Sequence, residues 1–331
     1  MKAIIPLAGI GSRLRPHTHT HPKALIPVGG KPLIAHIVDN LRHYGIKEFI
    51  FVIGYLGDKI EQYLTAEYSD LDIHFVVQLP KIGTGHAIWS AKEHIKEGDE
   101  MFIVLGDTIF NVDLEPVLNS EHNSLGVKKV EDPRMFGVAE MGADGFIEKL
   151  VEKPKMPKSN LALVGLYKVK DALLLMECLE ENINNEVKTL NEFQLTDGLM
   201  RMIEKGSKFT TFQVEEWFDC GKKDVLLETN AMLLKKNGFG AIKYENFENT
   251  IIIPPVSIPE GTTIKNSIIG PNVTIGTNSV IHKSIIKNSV IGSYSKLESM
   301  VLNDSLVGND ASLRGLSQSL NVGDSTDIKY N

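Results

Sequence analysis

Between Ile252 and Leu313 the apolar residues of this chain fall at steps of five or six positions: Ile252, Ile258, Ile264; Ile269, Ile275, Ile281; Ile286, Ile291, Leu297; Leu302, Val307, Leu313. Each set of three advances on the last by 16 or 17 residues. The segments KSIIKNSVIGSYSKLE (283–298) and SMVLNDSLVGNDASLR (299–314) align without a gap, and Gly, Asn and Ser fill the positions between. A β-sandwich would show period-two alternation and longer strands, which are not seen. Steps of five or six suit a coil with three short sides, each sending one apolar side chain inward. Such a unit buries its inner face only by stacking on copies of itself. The pattern predicts a left-handed parallel β-helix of about four coils.

The first two-thirds of the chain reads differently. Short apolar runs at Ala3–Leu7, Glu48–Tyr55, Ile73–Gln78, Met101–Leu105, Phe136–Glu140, Leu161–Val169 and Lys208–Val214 alternate with helical patterns. In Lys31–Tyr44, the residues Leu33, Ile34, Ile37, Val38 and Leu41 share one face, and Gly85–Lys96 reads as another helix. Alternation of this kind predicts an α/β fold: a mainly parallel, Rossmann-like sheet covered on both sides, with ligands beyond the carboxyl ends of its strands. A helix-like stretch at Lys222–Lys236 and the turn Asn237-Gly238 lead into the repeat. Two domains are therefore expected, 1–240 and 250–331.

The run Ala3–Leu7 opens onto Leu7-Ala8-Gly9-Ile10-Gly11-Ser12-Arg13-Leu14-Arg15, with Lys23 shortly after. Gly9 and Gly11 lack Cβ, so the backbone turns tightly and its N–H groups come close to a ligand. The arginines carry forked donors matched to phosphate oxygens. This is not a dinucleotide fingerprint, because Leu14 stands where the third glycine belongs, and it is not a P-loop. Gly106-Asp107 follows Met101–Leu105 and falls at the same sheet edge, so topology alone brings it towards the glycine loop. Taken singly, Asp107 reads equally well as a cap of the next element.

The formal net charge of −7 gives no global basic field for nucleic acid, so anionic substrates need a local cation cluster. Two cysteines, Cys178 and Cys220, make a disulfide framework unexpected. Met1-Lys2 leads straight into a strand and no apolar stretch reaches membrane-spanning length, so a cytoplasmic protein without membrane contact is expected. His17, His19 and His21 alternate with threonine, but they would share a side only in extended chain.

The string from Leu7 to Pro27 resembles the signature of sugar-1-phosphate nucleotidyltransferases. Later segments resemble that family's further motifs in the same order: Gln78-Leu-Pro-Lys-Ile-Gly83-Thr-Gly85, Leu105-Gly-Asp107, Phe136-Gly137-Val138, Val151-Glu152-Lys153-Pro154, Gly165-Leu-Tyr167, Asn191-Glu192-Phe-Gln-Leu-Thr-Asp197 and Trp217-Phe-Asp219-Cys-Gly221. Together they span roughly residues 1–221. The resemblance implies an enzyme that joins an NTP to a sugar-1-phosphate and releases pyrophosphate, most closely a glucose-1-phosphate thymidylyltransferase; UTP, or GTP with mannose-1-phosphate, is the alternative. It implies Mg²⁺ held by Asp107 and Asp219, with Arg13, Lys23 and Asp107 catalytic. It implies nucleotide contacts at Leu7, Ala8, Gly9, Gly11, Gln78 and Gly83, and sugar-phosphate contacts at Gly137, Glu152, Lys153 and Glu192. A homo-oligomer assembled through the β-helix is expected.

Two readings from other classes compete. A non-catalytic scaffold relative would not need Arg13, Lys23, Asp107 and Asp219 together. A β-helix acyltransferase would need a longer helix and a catalytic histidine, and this repeat contains only His282.

Overall fold

The computed structural model of the chain describes residues 1–241 and 247–315. The tail of the expected second domain, 316–331, and part of the expected boundary, 242–246, lie outside the described residues. Two compact units emerge: Met1–Ile26 with Lys31–Thr229, and Pro27–Gly30 with the described residues from Asn230 onward.

The first unit is built on a nine-stranded sheet. Strands β1 (Lys2–Pro6), β2 (Glu48–Ile53), β3 (Asp72–Val77) and β4 (Met101–Val104) lie in the order β4-β1-β2-β3, all parallel. Ala3, Ile4 and Ile5 are fully buried, as are Phe49 to Val52 and Met101 to Val104, which is why these runs are apolar throughout rather than alternating. Helix α1 (Leu33–His43) buries Leu33, Ile34, Ile37, Val38 and Leu41 along one stripe. It stops where Gly45, at φ 84°, donates its N–H to the Arg42 carbonyl. Helix α2 (Gly57–Glu67) follows β2.

Beyond β4 the sheet turns antiparallel. A short strand β5 (Thr108–Asn111) leaves it, and β6 (Asn123–Lys129), β7 (Gly137–Met141), β8 (Ile147–Glu152) and β9 (Leu161–Val169) extend it. β9 runs antiparallel to β4, β6 and β7, and β7 and β8 form a hairpin that turns through Gly145 at φ 82°. Antiparallel neighbours need no crossover helix, so β6 to β9 follow one another through turns and loops, whereas β10 (Phe209–Gln213), which pairs with β6 in parallel, is reached through two helices. The expected helix Gly85–Lys96 is shorter: α3 covers Thr84–Trp89, and a separate turn covers Lys92–His94. The Ser90 hydroxyl donates to the His86 carbonyl at the break. Helices α4 (Ala172–Asn184), capped by the Asp171 carboxylate on the Leu174 N–H, and α5 (Leu195–Glu204) complete the core with β10 (Phe209–Gln213). Strand β11 (Glu216–Asp219) then pairs back on β5, and helix α6 (Lys223–Lys236) contains the division between the units.

In the second unit, twelve short strands stack as three four-stranded parallel sheets, the faces of a left-handed β-helix. Register places Ile252, Ile269, Ile286 and Leu302 in one column, and Ile264, Ile281, Leu297 and Leu313 in another. Ile275, Ile291 and Val307 stack in the third. Each corner is turned by a left-handed residue: Asn266, Lys283 and Ser299 at one, Asn272, Asn288 and Asp304 at the next, Asn278, Tyr294 and Asp310 at the third. Asparagine and aspartate accept this conformation more readily than other side chains. Buried Ser267, Ser279, Ser284 and Ser289 each accept a backbone N–H from the following coil, which keeps the stack polar-satisfied where no ladder bond is available.

Candidate active site

Four parallel strands end at one edge, and the loops after three of them supply most of the wall of a cleft of about 570 Å³. Leu7 to Arg13 follow β1, Gln78 and Gly83 follow β3, and Leu105 to Asp107 follow β4; Lys23, Thr84, Glu192 and Gly221 complete the wall. Gly11 turns the first loop at φ 68°. Its carbonyl accepts the hydroxyl of Thr18, a fully buried residue between His17 and His19. The loop's second half is pinned by Tyr55, whose hydroxyl donates to the His19 carbonyl, and by Lys59 on the Thr20 carbonyl. The three histidines are thus carried on a braced turn. They are not among the described side chains whose ligand atoms converge.

The cations and acids are brought together in pairs. Lys23 Nζ lies 2.5 Å from Asp107 Oδ2, and Arg13 Nη2 lies 3.7 Å from Asp219 Oδ2. The β5–β11 ribbon explains how Asp219 arrives: Asp219 pairs with Thr108, and the Cys220 N–H donates to the Asp107 carbonyl. Asp219 Oδ1 is buried and has no hydrogen-bond partner. Burial, and then the charge of Asp107, push the Asp219 carboxyl above its usual range. Two facing carboxylates, one with an orphaned buried oxygen, are a donor set that fits a hard divalent cation. Gly221 leaves room for the arginine: a Cβ there would lie 2.3 Å from Arg13 Nη2, and the half-exposed guanidinium would have to swing aside. Gly106 is required by the loop: a Cβ would lie 2.1 Å from Leu7 Cδ2.

Gln78 is almost fully buried, and its amide nitrogen faces the Gly83 carbonyl at 2.9 Å and His86 Nδ1 at 3.2 Å. Burial lowers the His86 pKa, and in the tautomer protonated at Nε2 the Nδ1 atom accepts this amide hydrogen. Both amide hydrogens are thereby spent, and the side-chain oxygen remains as an acceptor. Gly83 lies at φ 120°, and a Cβ there would come within 2.3 Å of the Phe193 carbonyl.

Gly137, Glu152 and Lys153 do not line that cleft; they form an adjoining group. Glu152 accepts the Thr196 hydroxyl at 2.7 Å and pairs with Lys153 at 3.6 Å. A Cβ on Gly137 would sit 3.1 Å from Glu152 Oε2. Tyr167, raised in pKa by burial and then by the charges of Glu152 and Asp107, joins the two groups. Trp217, two residues before Asp219, packs edge-on against Phe136 with its indole N–H buried and unpartnered. Thr18, Tyr167, Thr196 and Trp217 all lie inside the motif segments read from the sequence, but none of them was given a role there. Glu48, Asp72 and His74 could also gather around a cation, but they belong to the opposite edge of the sheet and Lys2 already pairs with Glu48.

A sequence profile of the family described as Nucleotidyl transferase matches residues 2–236. The chain belongs to the nucleotidyl transferase family. Among relatives of this transferase, the bifunctional protein GlmU of Methanococcus vannielii is 35% identical over 94% of this chain and 78% of that protein. The low-salt glycan biosynthesis nucleotidyltransferase Agl11 of Haloferax volcanii is 33% identical over 95% of this chain and 94% of its own length. A solved Bacillus anthracis structure, described as a candidate glucose-1-phosphate thymidylyltransferase in complex with a sucrose, is 28% identical with a TM-score of 0.61. That comparison covers 74% of this chain and 98% of that one. Among the described residues, no helix of the transferase is long and apolar enough to cross a membrane.

Proposed function

We propose that the chain transfers a thymidylyl group from dTTP to glucose-1-phosphate, giving the nucleotide sugar and pyrophosphate, with UTP as the second nucleotide. The observation that carries this reading is the double pairing of Lys23 with Asp107 and Arg13 with Asp219 beside a glycine loop in one cleft. A phosphate oxygen of the sugar phosphate attacks the α-phosphorus; the bond from that phosphorus to the α,β-bridging oxygen breaks, and pyrophosphate leaves. The nucleophile is already an anion, so no general base is needed, and the work is positioning and charge neutralisation. Asp107 and Asp219 would hold Mg²⁺, which screens the converging phosphates. Arg13 and Lys23 grip the triphosphate, and the glycine-loop backbone from Leu7 to Gly11 lies along the nucleotide. Lys153 binds the sugar phosphate, while Glu152, Glu192 and the Gly137 backbone take the sugar hydroxyls.

The spent donors of Gln78 favour a base that offers an imide N–H, as thymine, uracil and guanine do. Cytosine and adenine present a ring acceptor there instead. The likeness to the candidate thymidylyltransferase supports the first choice. We further infer a catalytic domain of about 1–240 and an assembly domain from about 250. One face of the β-helix carries Ile251, Ile285 and Val301, which point outward at 59%, 45% and 76% exposure. Thr274, on another face, bonds the Asn230 side chain. The exposed apolar face suits a second copy of the chain.

A panel of dTTP, UTP, GTP, CTP and ATP against glucose-, N-acetylglucosamine- and mannose-1-phosphate, scored by pyrophosphate release, tests the reading. Best turnover with dTTP and glucose-1-phosphate supports it. Best turnover with ATP or CTP would overturn the base assignment.

A further inference from the structure

Lys81 lines the cleft beside Ala8, Gln78 and Gly83. The residue is exposed, but its stem passes close to the chain. A Cβ on Gly54, the residue after β2, would meet Lys81 Cε at 2.9 Å and Ala8 Cβ at 3.0 Å, so the lysine stem and the glycine loop converge over Gly54. The ammonium stands 5.4 Å from the centre of the Tyr55 ring, and that ring is itself anchored through its hydroxyl. Arg13 and Lys23 are both held by carboxylates, but among the described residues no ion pair engages Lys81. An ammonium has three donors and no acceptor. Next to it, Gln78 offers only its oxygen.

We propose that Lys81 reads the nucleobase, its ammonium donating to an exocyclic carbonyl while Gln78 accepts the neighbouring imide N–H. This rests on the nucleotidyl-transfer reading and deepens it. Thymine and uracil present an N–H flanked by two carbonyls, and guanine presents an N–H beside one. Adenine presents an amino group, whose hydrogens would face the ammonium, so the pair of side chains selects by attraction and by repulsion together. Partial desolvation lowers the Lys81 pKa.

The test measures pyrophosphate release on the full chain and on Lys81→Met and Lys81→Gln with the five nucleotides, and inhibition by inorganic tripolyphosphate, which carries the phosphates without a base. Lys81→Met is expected to raise KM for the best nucleotide about tenfold, the loss of one charge-assisted hydrogen bond. It should leave the tripolyphosphate Ki unchanged and narrow the preference over ATP. Lys81→Gln, which keeps a donor, should recover part of the loss. A tripolyphosphate Ki that rises in step with KM makes Lys81 a phosphate anchor and overturns the proposal. An unchanged KM in Lys81→Met overturns it as well. A wild-type chain inactive with every nucleotide and sugar phosphate would remove both readings, whereas an active wild type indifferent to Lys81→Met removes this one alone.

Discussion

Gly221 shows how narrow the tolerance is at the level of one residue. The Arg13 guanidinium lies against its Cα, where a methyl group would fall 2.3 Å from Nη2. Gly221→Ala should displace the arginine and lower kcat/KM by about 100-fold, the scale of a misplacement near 1 Å, with little change in Tm. Pyrophosphate release and differential scanning check the two parts separately. Asp219→Asn tests the acid pair. Burial and Asp107 raise this carboxyl's pKa, so its folded-state stability is greatest below the unfolded value and is lost as pH rises through the raised one. At pH 7 the charge is a net cost to the fold. The variant should therefore melt higher at pH 7 while Mg²⁺-dependent turnover falls by about 100-fold or more. A lower Tm would contradict the strain inferred from the orphaned Oδ1. Some of this was legible in sequence and some was not. The glycine loop and Asp107 follow apolar strands and declare themselves. Thr18, Thr196 and Tyr167 lie inside the motif segments, but a hydroxyl in a motif does not declare its partner, and only the folded chain brings them towards Gly11 and Glu152.

At the scale of elements, legibility followed periodicity. The columns from Ile252 to Leu302 and from Ile264 to Leu313 could be read because each short strand sends one apolar residue inward. The β5–β11 ribbon could not, because four-residue strands carry no usable period and their pairing joins segments separated by about half of the first unit. Corner residues offer a stability test. Tyr294 holds φ 59° where the coils above and below use Asn278 and Asp310. Tyr294→Asn should stabilise by about 1 kcal/mol, seen as a rise in Tm; no change or a fall would show that the ring earns its place by packing. At the amino-terminal edge of the sheet, Lys2 Nζ lies 3.0 Å from Glu48, 2.9 Å from Asp99 and 2.7 Å from the His94 carbonyl. Burial acts to raise the Asp99 pKa, but the Lys96 N–H and the Lys2 ammonium outweigh it and the carboxyl sits below its ordinary value. Its contribution is present above that ordinary value and is lost as pH falls through the lowered one. Lys2→Met should cost about 2 kcal/mol at pH 7, a penalty that shrinks on acidification as the acids protonate. Melting curves from pH 7 to pH 3 show whether the gap closes.

For the whole molecule, the question is what the outward apolar face of the β-helix does. Ile285→Asp with Val301→Asp places charges on that face without touching the inward columns. The double variant should scatter light as a smaller species than the wild type and keep most of its turnover, since every proposed site residue precedes Lys222. Unchanged mass would show that assembly, if it occurs, uses another surface. Loss of turnover from a folded smaller species would mean that assembly completes the site.

The pairing of Lys23 with Asp107 and of Arg13 with Asp219 has an electrical consequence for the resting enzyme. Both of these cations are already matched by a neighbouring carboxylate, so this part of the cleft presents a weak field to its surroundings. Under the proposed function, a triphosphate arriving with its own divalent ion would exchange partners on both sides at once, the aspartates holding the ion while the lysine and the arginine hold the phosphates. Neither half of that exchange would be favourable alone, because each strands two like charges. The cleft would then behave as a lock with two tumblers that turn only together, with the salt form of the nucleotide as its key.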